Sequence, residues 1–118
     1  MYEIPTKTVP LEKMVQALKL LGDKTRLTIV AILKHRDCCV CELNEVFAMS
    51  QPSISQHLRK LKDSGLIKEE RRGRWMYYSL ILQSEIYPLI DDLLAHVPDQ
   101  TENMRKIKES KVALHCDC

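Results

Sequence analysis

The apolar pattern of this chain changes period at Gly65. Before it, hydrophobic residues recur at helical spacing; after it, "LIKEERRGRWMYYSLI" alternates on either side of Gly73. A chain that is helical up to one glycine and then becomes a two-strand hairpin has few packing solutions. The helices must share one core, with the hairpin at its edge.

The helical part divides at its own stop signals. "PLEKMVQALKLLG" carries Leu11, Met14, Val15, Leu18 and Leu21 on one stripe and stops at Gly22. Asp23 can cap "KTRLTIVAILKH", whose Leu27, Ile29, Val30, Ile32 and Leu33 are apolar nearly all round, so this second helix is expected at the centre of the core. A short third helix follows in "CELNEVFAM", with Leu43, Val46 and Phe47 on one face. Ser50 then reads as the N-cap of a fourth, "QPSISQHLRKLKDSG", with Pro52 tolerated in its first turn and an apolar stripe of Ile54, His57 or Leu58, and Leu61. After the hairpin, "SEIYPLIDDLLAHV" returns to helical spacing, with Pro88 placed in its first turn. The expected class is therefore mainly α with a β-hairpin wing. Residues 1–97 are expected to form a winged helix-turn-helix domain, and 98–118 a polar C-terminal tail with room for some helix, ending in Cys-x-Cys.

At 118 residues, one core is expected. The longest apolar runs, such as "LTIVAIL", fall far short of a bilayer span and "MYEIPTKTVP" lacks a signal core, so a cytoplasmic protein without membrane contact is expected. In that reducing compartment five cysteines, odd in number and clustered, suggest metal or thiol chemistry in preference to a disulfide framework. Nothing suggests an enzyme. Three glycines cannot build a phosphate loop, no nucleophile arrangement is present, and no Cys-x-x-Cys follows a βαβ start.

The charge is focused. Residues 51–80 carry a net +4 in a chain whose total is +2, so the remainder carries −2. A tight "AMSQ" turn between two short helices, a polar exposed face on the second and a basic hairpin make a constellation suited to the major groove. Gln51, Ser53, Ser55 and Gln56, with His57 as a further candidate, are expected to meet base edges; Arg59 and Lys62 are expected on phosphates. Arg71, Arg72 and Arg74 surround the wing glycine, where a guanidinium can reach the backbone or minor groove. Excess apolar surface on the first and last helices points to a homodimer, the usual way to read two half-sites of double-stranded operator DNA.

Cys38, Cys39 and Cys41 crowd into four positions before the third helix. On a continuous helix, residues 38 and 41 share a face while 39 and 41 diverge, so three sulfurs meet only if Cys38 and Cys39 adopt non-helical dihedrals at a ragged first turn. Binding would then move that turn. Soft thiolates select thiophilic ions, including zinc, copper(I), cadmium, lead and trivalent arsenicals. Tetrahedral zinc would want a fourth ligand, for which His35, His115 or a tail cysteine could serve.

The segments "LGDKTRLTIVAIL", "CVCELNEVFAMSQPSISQHLRKLKDSGLI" and "RRGRWMYYSL" resemble the ArsR/SmtB family of metal- and metalloid-responsive repressors, most closely its arsenic-responsive branch. The resemblance spans about Leu11 to Leu94. It implies a homodimeric winged-helix repressor, with first and last helices at the dimer interface, that leaves an imperfect palindrome when inducer binds. It also implies a Cys-Val-Cys-acid-Leu-Cys site for As(III) or Sb(III), with no cofactor required. Cys39, Cys41 and Glu42 fit that pattern, but Asn44 stands where the third cysteine belongs. The third thiolate is then Cys38, favoured as the local candidate, with one of Cys116 and Cys118 close behind. The family's alternative Asp/His site is not matched in spacing by Asp91, Asp92 and His96, which read as ordinary polar residues of a helix. Besides an arsenical-responsive repressor, the residues allow a redox- or persulfide-responsive one, a Cd/Pb/Zn-responsive one, or a thiol metal buffer; the last leaves the basic wing without a purpose.

Overall fold

A computed structural model describes residues 8–109. Helices α1 (Leu11–Leu21) and α2 (Lys24–His35) lead into a two-residue strand β1 (Cys38–Cys39), then α3 (Val40–Phe47) and α4 (Gln51–Asp63). The hairpin β2 (Ile67–Arg72) and β3 (Trp75–Leu80) follows, and α5 (Tyr87–Leu94) and α6 (Thr101–Glu109) close the described chain.

Helix α2 is the hub. Its Ile29, Val30 and Ile32 are completely buried, and Asp23 caps it by accepting the Arg26 N–H at 3.0 Å. Burying each such aliphatic side chain contributes about 1.5–3 kcal/mol, so a helix apolar on every side belongs in the interior. Helix α4 presents Ile54, Leu58 and Leu61 to the same core, all fully buried. Its start is fixed by Ser50, whose Oγ accepts the Ser53 N–H at 3.3 Å, with Pro52 in the first turn. Its end is fixed at Gly65, where φ of 82° lets the Leu66 N–H reach back to the Leu61 carbonyl at 3.1 Å. Between α3 and α4 the chain reverses through Ala48, a non-glycine residue in the left-handed region at φ 53°. Pro88 lies in the first turn of α5, as its missing N–H requires.

Two elements go beyond the sequence reading. The wing is a three-stranded antiparallel sheet of order β1-β3-β2, because Cys38 and Cys39 pair with Tyr78 and Tyr77. In addition, part of the segment read as tail is helix α6, which packs against α3 and buries Ile107 completely in the main core. On α1, by contrast, Leu11, Val15 and Leu18 are 70%, 41% and 46% exposed. Leu18 also borders a cavity of about 800 Å³ whose apolar walls include Leu21, Leu27, Phe47 and Leu93. Among the described residues no helix is long and apolar enough to cross a membrane.

Candidate DNA interface and thiol site

Helix α4 turns Gln51, Ser53, Ser55, Gln56 and Arg59 outward. Lys62 is exposed too, but its Nζ is 2.7 Å from Glu69 Oε1 on β2. That bond holds the Glu69 carboxyl below its usual range, and the same carboxylate, with burial ahead of it, pushes the Tyr78 hydroxyl up to about 12. The chain Lys62, Glu69, Tyr78 thus fastens the end of α4 to both wing strands. His57 does not sit with the outward set. It is half-buried, with Nδ1 3.2 Å from Arg26 Nη1 and 4.0 Å from Asp23 Oδ2, so it braces α4 against the start of α2. On the helix it falls beside the buried Leu58, between core and surface.

The three wing arginines also separate. Arg71 and Arg74 are exposed. Arg72 turns back, with Nη2 2.5 Å from Asp37 Oδ2, Nε 2.9 Å from Glu70 Oε1, and its guanidinium 4.9 Å from the centroid of the Tyr77 ring. Two carboxylates and an aromatic face hold its guanidinium back against the sheet.

The cysteines are divided by strand geometry. Successive strand residues face opposite sides of a sheet. Cys38, fully buried, belongs to the main core, whereas Cys39, also fully buried, and Cys41, 8% exposed, form a second cluster packed against Trp75. Burial, reinforced by the field of Glu42, pushes the Cys38 thiol up to about 12, and its Sγ–H points to the Arg36 carbonyl at 3.8 Å. Burial raises the Cys39 thiol as well, opposed by the N–H groups of Glu42 and Cys41 that face its sulfur. Cys39 is the N-cap of α3, extended at φ −95° and ψ 170°. Its side chain faces the Glu42 N–H while Glu42 Oε1 accepts the Cys39 N–H at 3.0 Å, a capping box with sulfur in place of hydroxyl.

Glu42 is 2% exposed, and its other oxygen lies 2.6 Å from Arg36 Nη2, which pays for burying the carboxylate. In the sequence Glu42 stands as the acid of the Cys-Val-Cys-acid-Leu pattern; its place three residues after Cys39 is also the capping-box spacing. Cys41 stands disulfide-bonded, so a thiolate at this position belongs to the reduced protein. Its Sγ also accepts Gln51 Nε2–H at 3.6 Å, joining the cluster to the first residue of α4.

Asn44 lies one turn beyond Cys41 on the same side of α3, and its Oδ1 is buried with no hydrogen-bond partner among the described residues. No three His, Cys, Asp or Glu side chains converge to hold a metal ion among the described residues. The donor set is thus soft and incomplete. Two sulfurs, Cys39 and Cys41, are together; Cys38 faces the opposite side; Cys116, Cys118 and His115 lie outside the described residues. His35, at the exposed end of α2, joins no such group. Asp91 Oδ1 is 2.8 Å from Lys34 Nζ, a tie between α5 and α2.

Two helices joined at a sharp turn, the second exposed and polar, beside a basic antiparallel hairpin define a winged helix-turn-helix module. Comparison with known proteins agrees in detail. Residues 23–69 match the model described as bacterial regulatory protein, arsR family. Over 76 residues the chain is 43% identical to the arsenical resistance operon repressor of Bacillus subtilis, a match covering 64% of this chain and 72% of that protein. It is also 43% identical over 67 residues to the arsenical resistance operon repressor of Escherichia coli, 56% of this chain and 57% of that one. The match therefore spans less than two thirds of the Escherichia coli protein's length. Among solved structures, reduced HlyU from Vibrio cholerae superposes with a TM-score of 0.66 at 28% identity, covering 75% of this chain and 92% of that one. The chain belongs to the ArsR family of bacterial regulatory proteins. Its class is that of DNA-binding regulators, not of enzymes.

Proposed function

We propose that this chain is a cytoplasmic, homodimeric repressor that binds operator DNA through α4 and the wing and releases it when a trivalent arsenical or antimonial is captured by Cys39 and Cys41. The observation that carries this reading is the position of the thiol pair. One sulfur caps α3, the other touches Gln51 at the head of the recognition helix, and both pack on Trp75 of the wing. The names of the Bacillus subtilis and Escherichia coli relatives support the arsenical, and the donor chemistry agrees with them.

When bound, the ion supplies bonds to sulfur that compete with the sulfur's role as helix cap. The protein's part is then local. Cys39 cannot both accept the Glu42 N–H and turn to a shared ligand, so the first turn of α3 loosens; Gln51 loses its acceptor and α4 shifts with it. A third thiolate from Cys116 or Cys118 fits better than one from Cys38, because Cys38 lies in the main core, apart from the cluster of Cys39 and Cys41. A second copy would cover Leu11, Val15 and Leu18 and enter the adjoining cavity, which suits the dimer.

The test is a titration of reduced protein on a labelled palindrome with arsenite, antimonite, cadmium and zinc. Wild type should lose the operator to arsenite or antimonite at the lowest concentration, and Cys39→Ser or Cys41→Ser should hold it. Normal release by both variants would remove the site, and no salt-dependent duplex binding would remove the repressor. The disulfide at Cys41 favours one second reading, an oxidation-responsive repressor. Under that reading a mild thiol oxidant alone releases DNA, and arsenite does nothing to the reduced protein.

A further inference from the structure

We propose that the Asp37–Arg72 ion pair is a latch that carries capture at the thiol pair to the wing, making Asp37 a positioning residue for DNA release. The inference rests on the thiol reading above and names its second output, beside the Gln51 contact.

The strand that bears Cys39 is itself an edge of the wing sheet, held to β3 by only two residue pairs, Cys38 with Tyr78 and Cys39 with Tyr77. So short a ladder has few backbone hydrogen bonds and depends on side chains for its register. Those side chains converge on one place. Asp37, immediately before β1, holds Arg72 at the end of β2; Arg72 covers the ring of Tyr77, the partner of Cys39; and Trp75, paired with Arg72 across the hairpin, packs on Cys39 and Cys41. The outer half of the wing is thus clamped to residues 37–41. Turning the Cys39 sulfur toward a shared ligand changes the backbone two residues from the Asp37 carboxylate, which is a charge-assisted contact sensitive to direction. Arg72 is then drawn off or released, and the exposed Arg71 and Arg74 move with the strand that carries them. The pair is partly exposed on both sides and contributes little to folding, so its value is orientation.

Asp37→Asn keeps the side chain's shape and removes its charge, and Asp37→Glu restores the charge. The reduced homodimer is titrated with sodium arsenite, reading operator affinity and, in the absence of DNA, the emission of Trp75, the chain's one tryptophan. The expected result is the same Trp75 response in wild type and Asp37→Asn, with the arsenite-induced loss of affinity at least about fivefold smaller in Asp37→Asn and recovered in Asp37→Glu. Equal release by wild type and Asp37→Asn overturns the latch and leaves the thiol site standing. A Trp75 response absent from wild type, together with unaltered release by Cys39→Ser, overturns both. A thermal melt of each variant shows that it is folded; a melted Asp37→Asn would mean that the pair holds the fold instead, which also overturns the latch.

Discussion

The two helices of the helix-turn-helix begin in different ways. Helix α4 starts at Ser50, an exposed hydroxyl accepting a backbone N–H, whereas α3 starts at Cys39, a fully buried sulfur facing the N–H of Glu42. A hydroxyl cap is strong and chemically inert. A sulfur cap is weaker, and its atom has other partners available. On the proposed function, the reading helix α4 is therefore fixed at its start and the sensing helix α3 is conditional, although both are built from one motif.

Substitutions at the two caps should separate these roles. The largest effect belongs to Cys39→Ser, which gives α3 the cap that α4 has: operator binding persists without inducer while the response to arsenite, on the order of 10²-fold in affinity, disappears. Fluorescence anisotropy on labelled operator measures both. Glu42→Ala should come next, lowering stability by roughly 2 kcal/mol through loss of the charged bond to Arg36 and of the cap to Cys39 N–H; urea denaturation reads it, and Glu42→Gln should retain part. Ser50→Ala should cost about 1 kcal/mol and weaken DNA binding while leaving the ratio of affinities with and without inducer unchanged. If that ratio collapses instead, the two caps are not separate. Arg71→Ala and Arg74→Ala should each flatten the log–log salt dependence of binding by about one, and Arg72→Ala by less, since Arg72 faces Asp37 and Glu70. Cys38→Ala should change the inducer response least of all, because its thiol lies in the main core.

What was legible in the sequence follows the range of the interactions involved. Helices α1, α2 and α4 and the hairpin are announced by local signals: Gly22, Asp23, Ser50 with Pro52, Gly65 and the change of period. Strand β1 has no such signal, since two residues become a strand only by meeting Tyr77 and Tyr78, 38 to 40 residues later. That pairing also decides which way Cys38 faces, which no local signal in the sequence records. The inward turn of His57 depends on Arg26, and the retreat of Arg72 on Asp37; both are pairings over 31 residues or more. A partly helical tail was legible, but the extent and docking of α6 were not, because it is polar on most sides and anchored chiefly by Ile107, with Met104 half-buried beside it.

The left-handed backbone at Ala48 has a mechanical consequence. A residue with a Cβ adopts that conformation at a cost of about 1–2 kcal/mol, which glycine would avoid. Glycine would also allow many other turns, and the angle between α3 and α4 would then spread over a range. Alanine keeps the corner stiff, so that on the proposed function a small displacement of α3 would swing α4 through a definite arc and would not be absorbed at the joint.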